Sequence, residues 1–280
     1  MTNVSQANLL ALARACEAKG DSEGAIANLE EALRSGFDNA VGAELAKVYR
    51  LNGQEDQAYA VLKTAPDLFS DQALFEEYQQ TLKANHYLIE ALQVKHLTGG
   101  QLEIPVEAAS LAQQQEIMQD FRKAAVVTNV HYQSLFKLDL PSYLPFVQSL
   151  LLDPSQGFAL RLALCEDLVK LGIDQKISVL TLGEIKAFLP STASLLRQDP
   201  VYREAIGSVA DKLRRRPSEL PLYLNEANLA LGSLYPFIAD YVSNPDSFAK
   251  ALLSYLQKQG GFEYQDLLDR IYQKNAASFE

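Results

Sequence analysis

Six polar side chains recur in two registers. Arg14, Lys47 and Gln80 form one set and Glu17, Arg50 and Lys83 the other, each spaced by 33 residues. Four of the six are cationic, in a chain of 280 residues whose net charge is −10. Cations repeated along one side would hold the carboxylates of an acidic segment or a polypeptide C-terminus through charge-assisted hydrogen bonds. Lys and Arg are also good helix formers that occupy any wet helix face, so the spacing carries the argument more than the residue types do.

No catalytic pattern accompanies them. His86, His96 and His131 stand in no H-x-x-x-H or H-E-x-x-H spacing, and Cys16 and Cys165 form no C-x-x-C pair, so no zinc site is expected. No serine sits in G-x-S-x-G, and no glycine run matches a phosphate-binding loop. Adjacent carboxylates such as Glu30–Glu31 and Glu76–Glu77 point apart on a helix and read as solvated faces. The chain is expected to be non-enzymatic, with no cofactor and no metal. Gathering of His131, Glu166 and Asp167 in one polar pocket would revive an enzyme reading. The basic run Lys212–Arg216 reads as a helix end before Pro217, where cations complement the dipole. The acidic balance argues against nucleic acid or an anionic membrane as partner.

The six side chains need helices to hold them, and residues 6–65 write one pattern twice. Leu12, Gly20, Ala25 and Leu29 recur as Leu45, Gly53, Ala58 and Leu62. Leu9, Leu12, Ala13 and Cys16 fall at i, i+3, i+4, i+7 and predict one helical face. Gly20 ends that helix, Asp21 or Ser22 can cap the next, and Ala25, Ile26, Leu29, Ala32 and Leu33 form its stripe. A period in the low thirties built of paired amphipathic segments predicts a helical repeat array.

With Leu12–Ala13, Gly20–Asp21, Ala25, Leu29 and Ala32 in one unit and Leu45–Ala46, Tyr49, Gly53, Ala58, Leu62 and Ala65 in the next, this segment resembles the tetratricopeptide repeat family. It departs from the family at Cys16, in an aromatic position, at Gly42, in a bulky one, and in lacking the terminal prolines. A third copy keeps Phe75, Tyr78, Leu82 and Ala91. It loses the small residue at Gln79, the turn glycine at His86 and an apolar position at Lys95, as a degenerate repeat bordering a different domain would. The resemblance implies a helical-hairpin solenoid whose first helices line a concave groove, with Arg14, Glu17, Lys47, Arg50, Gln80 and Lys83 on it. It thereby implies an adaptor that takes a partner protein or peptide there, an acidic segment or C-terminal tail.

Beyond Gly99–Gly100 the pattern changes. Leu102–Ile104 is a short extended candidate, and 106–137 reads as one long or two shorter helices. Two apolar helices come after Pro141, and the second, around Phe158, Leu162, Cys165 and Leu168, is apolar over a wide arc. Residues 176–182 and 185–189 predict a hairpin turning at Gly183–Glu184, joined by the 102–104 strand. Helices are then expected over 199–214, 218–231, 245–258 and 262–275. Tyr235, Phe237 and Tyr241 near Pro236 read as core. The repeats, the hairpin and Leu234–Phe237 together resemble uncharacterised repeat proteins of Gram-positive bacteria, a likeness that implies no activity.

The fold expected is mostly all-α: a repeat domain over 1–98, then a helical domain over 99–280 with one small hairpin at 176–189. Two distant thiols suit a reducing cytosol, the first residues, MTNVSQANLLALARA, read as no secretory leader, and the apolar runs are too short for a membrane span. A cytoplasmic protein is expected. Self-association is the second expectation, because a short open array leaves its end faces uncovered.

Overall fold

The structure is a computed structural model describing residues 4–261 and 263–276. The first residues of the leader reading and the expected helix start at 262 lie outside the described residues. The fold is mostly helical with one small β-hairpin, as the sequence predicts. Among the described residues no helix is long and apolar enough to cross a membrane. Two compact units emerge, residues 1–95 with 101–139, and residues 96–100 with 140–280.

The first unit begins with three helical pairs: α1 (Val4–Glu17) and α2 (Ser22–Arg34), α3 (Asn39–Leu51) and α4 (Glu55–Lys63), α5 (Gln72–Asn85) and α6 (Leu88–Leu97). Asp21, rather than Ser22, caps α2, accepting from the Gly24 N–H at 2.9 Å; Asp38 and Asp71, 33 residues apart, cap α3 and α5 in the same way. Between the two helices of each pair the chain turns through the left-handed region at one residue, Gly20, Gly53 and then His86, with φ of 74°, 74° and 59°. Ala13, Ala25, Ala32, Ala46 and Ala58 are fully buried, and these small side chains let the backbones approach. Leu29, Leu62, Tyr78 and Leu82 fill the remaining core.

One predicted core residue is misplaced. Leu12 is 54% exposed, whereas Leu45 one repeat later is 2% exposed. The packed stripe of α1 runs through Gln6, Leu9 and Ala13 instead, with Gln6 donating to the carbonyls of Ala32 and Gly36. Leu45 is covered because α3 packs on α2, and α1 has no described helix before it.

The first unit extends past residue 98. Tyr87 meets Phe136 edge to face at 5.9 Å, Lys137 lies over the Tyr87 ring, and Ile104 and Ala109 are buried. The stretch read as one or two helices is α7 (Leu111–Lys123) and α8 (Asn129–Ser134), ending in a 3-10 turn at Leu135–Lys137. Ser110 and Thr128 begin the two helices with reciprocal capping boxes. Leu102–Ile104 is not a strand; the hairpin pairs with no third segment among the described residues.

In the second unit α9 (Leu140–Leu152) and α10 (Phe158–Lys170) precede the hairpin, β1 (Ile177–Thr181) and β2 (Glu184–Phe188). The turn is Leu182–Gly183, one residue earlier than predicted. Both residues have positive φ, 48° and 87°, and Thr181 pairs with Glu184 across them. Two successive left-handed residues match the twist of a two-residue hairpin, even with leucine at the first. The chain continues as α11 (Pro200–Lys212), α12 (Leu220–Leu234), α13 (Ile238–Tyr241), α14 (Pro245–Leu256) and α15 (Gln265–Ala276). Lys212 ends α11 in an ion pair with Asp246, and Arg216 pairs with Glu219, so two members of the basic run are engaged within the fold. Tyr235 is buried with its hydroxyl on the Ser194 carbonyl, and Lys186 lies over the Tyr241 ring at 4.2 Å.

Candidate functional site

The repeats place the six predicted side chains on α1, α3 and α5. A cleft of about 410 Å³ opens between α3 and α5, lined by Ala43, Glu44 and Lys47 from one helix and Ala73, Glu76, Glu77 and Gln80 from the other. Small residues on both helices keep its floor open. Glu44 and Lys47 stand three apart on α3, and Glu76 and Glu77 stand four and three before Gln80 on α5. Both members of a pair read as pointing apart therefore border the cleft, Glu76 exposed and Glu77 buried.

Within this face the cations have partners of their own. Lys47 Nζ donates to Glu44 at 2.6 Å and lies 3.7 Å from Glu17. Arg14 reaches Glu44 at 3.9 Å. Arg50 grips Glu77 at two points, 2.6 and 3.0 Å, across the repeat boundary. Gln80 is exposed, and Lys83, half-buried, joins no ion pair among the described residues. Arg14, Glu44, Lys47 and Glu17 are thus brought into one chain of alternating charge, and Arg50 with Glu77 forms a separate pair.

The electrostatics derive from these pairings. Hydrogen bonding to Glu44 raises the Lys47 ammonium, and hydrogen bonding to Glu77 raises the Arg50 guanidinium, so both stay charged. Glu17 is raised from the ordinary carboxylate range, first by burial and then by the Glu44 charge, with Lys47 opposing. Its Oε1 is buried without a hydrogen-bond partner.

Glu44 escaped the sequence reading and Glu77, read as a solvated face, is instead buried against Arg50, although the two are 33 residues apart and each precedes a named site residue by three. The signal was present in the register adjoining the cations. Elsewhere, the His131 ring caps the Thr128 N–H at 3.1 Å, while Asp167 is buried and Glu166 holds the Leu196 N–H at 3.0 Å. Among the described residues no group of three or more His, Cys, Asp or Glu side chains is arranged to hold a metal ion.

No family model, curated protein or solved structure matches the chain. The geometry of the cleft is therefore what bears on its function.

Proposed function

We propose that the chain is a non-enzymatic adaptor of tetratricopeptide-repeat type that binds an extended segment of a partner protein along α1, α3 and α5. The observation that carries this reading is the cleft between α3 and α5: an open, small-residue floor bordered by charged side chains already held in place. Side chains fixed by their own ion pairs lose little freedom on binding, which favours recognition. Lys83 and the outward N–H groups of Lys47 are the groups a partner carboxylate would meet, so an acidic segment or C-terminal tail is the partner class proposed. Glu76, exposed on the same cleft, would take the segment's own N–H groups.

The test is titration of the ¹⁵N-labelled protein with a pool of acidic peptides carrying free C-termini. Saturable shifts at Ala43, Ala73 and Gln80, weakened at least about tenfold by Lys83→Glu, are the expected result. Shifts confined to other helices, or unchanged in Lys83→Glu, would reject the groove. Arg50 is unsuited to charge reversal, because a carboxylate there would face Glu77 and endanger the fold.

Leu12 supports a second reading, self-association. It is exposed in the register where Leu45 is covered, so a second copy packing on α1 would bury it. Light scattering that shows a strict monomer at all concentrations removes this reading.

A further inference from the structure

The second unit holds a larger concavity of about 660 Å³, bordered by α10, α12 and the segment before α11. Phe158, Leu162 and Glu166 follow one another at i, i+4 and i+8 on one face of α10, so the apolar floor ends in a carboxylate. Leu229 of α12 completes that floor. The volume, and an apolar floor bordered by polar side chains, fit a small-molecule site.

The polar groups are posed for a ligand of both charges. Glu166 spends one oxygen, Oε1, on the Leu196 N–H at 3.0 Å, and its other oxygen makes no hydrogen bond among the described residues. Arg197 is exposed on the rim and forms no ion pair among the described residues, with Glu166 or otherwise. The Tyr202 hydroxyl donates to Asn228 Oδ1, which fixes that amide and leaves its two N–H donors to the cleft. Tyr202 lines the same cleft as both charges; burial raises its hydroxyl above the usual phenol range, with Arg197 opposing and Glu166 adding to the rise.

We propose that this cleft binds a free α-amino acid with an apolar side chain. Its ammonium group would sit on the unengaged oxygen of Glu166, its carboxylate on Arg197 and the Asn228 amide, and its side chain on Phe158, Leu162 and Leu229. The two opposite charges of the site make a zwitterion the complementary ligand. A simple acid would leave Glu166 unmatched, and a simple amine would leave Arg197 unmatched.

The experiment is calorimetric titration of the full chain with L-leucine and L-phenylalanine. The half-ligands 4-methylpentanoate and 3-methylbutylamine serve as controls. Saturable binding of a free amino acid with Kd below about 1 mM is expected, and each half-ligand should bind at least about tenfold more weakly. Arg197→Gln, at an exposed position, and Glu166→Gln, which keeps the acceptor for Leu196, should each weaken binding about tenfold or more. Absence of binding by either amino acid, half-ligands as tight as the zwitterion, or unchanged affinity in Arg197→Gln would each overturn the proposal.

Discussion

Arg50 donates through Nε and a terminal nitrogen to both oxygens of Glu77, tying the first helix of the second repeat to that of the third. The two side chains are only 20% and 10% exposed, so the pair is shielded from much of the surrounding water. A planar guanidinium meets a carboxylate at two points and an ammonium cannot. A double-mutant cycle of Arg50→Ala and Glu77→Ala is expected to yield a coupling of about 1–2 kcal/mol in denaturant unfolding. Arg50→Lys should recover less than half of it. Strictly additive single effects would show that the pair adds nothing to the repeat interface.

Glu90 on α6 joins three side chains of the repeats. It is 4% exposed and accepts from the hydroxyls of Tyr59 and Tyr78 and from Lys63 at 2.9 Å. Truncation to alanine would strand the two buried hydroxyls, while the exposed Lys63 ammonium would turn to water. Glu90→Ala is expected to destabilise the protein by roughly 3 kcal/mol, and Glu90→Gln, which retains an acceptor, by less. A Glu90→Ala melting temperature within a degree or so of the parent would refute the arrangement.

The same tyrosines set an alkaline limit. Burial, followed by the Glu90 charge and hydrogen bond, lifts the Tyr59 and Tyr78 hydroxyls well above the usual phenol range. Tyr49 is pushed up to about 12, chiefly by burial and then by its bond to Glu30. Raised values in the fold mean that unfolding releases protons above the unfolded tyrosine pKa of about 10, so stability falls as pH climbs. The stabilisation is complete below that pH, and Tyr49's share is lost between it and about 12. Melting temperatures recorded across this window should drop with a slope that Tyr49→Phe reduces. An unchanged slope in that variant would exclude Tyr49 as a contributor.

The turn residues offer a purely conformational comparison. Gly53 and His86 share a register and a left-handed φ, and nothing lies within 4 Å of the place where a Cβ would stand on Gly53. Gly53→Ala should therefore cost only the backbone penalty, about 1 kcal/mol, with no clash. His86→Gly should be stabilising by a similar or smaller amount, offset by loss of the ring contact to the Glu107 carbonyl at 3.1 Å. Thermal melts of the two variants that move in the same direction would contradict this account.

These registers show what was legible in the sequence. The first two helix pairs were readable because Ala13, Ala25, Ala46 and Ala58 mark the close backbone approach in them. The left-handed turn survived the change from glycine to His86, so the third pair keeps its turn without the residue that advertises it. Leu12 was misread because periodicity reports a face, while burial depends on a neighbouring helix that local sequence does not reveal. The extension of the first unit to residue 139 rests on Tyr87 meeting Phe136, a contact between residues 49 apart that no local pattern encodes. That the six side chains lie on the first helices of the pairs was legible, but only Lys47 and Gln80 of them line the cleft, and the pairing was not legible. Whether Lys47 turns toward solvent or toward Glu44 is decided by packing between repeats.

The hairpin supplies a last case in which a side chain does the work of a strand. Gln148 of α9 donates to the Ser178 carbonyl at 2.8 Å and accepts the Ser178 N–H at 3.0 Å. The pair of bonds copies what a neighbouring strand would make, so this stretch of the β1 edge is closed where no third strand among the described residues pairs with it. An open edge invites pairing with other chains, which gives the amide a protective role as well as a structural one. Replacing it removes both bonds while leaving the Ser178 backbone groups half-buried. Gln148→Leu is expected to destabilise the protein by about 1–3 kcal/mol. It should also speed hydrogen exchange at the Ser178 amide far more than at the cross-strand amides of β2. Gln148→Glu, which accepts but cannot donate, should protect the Ser178 N–H and leave its carbonyl unmatched. Equal exchange at Ser178 in all three proteins would show that solvent, not Gln148, satisfies this edge.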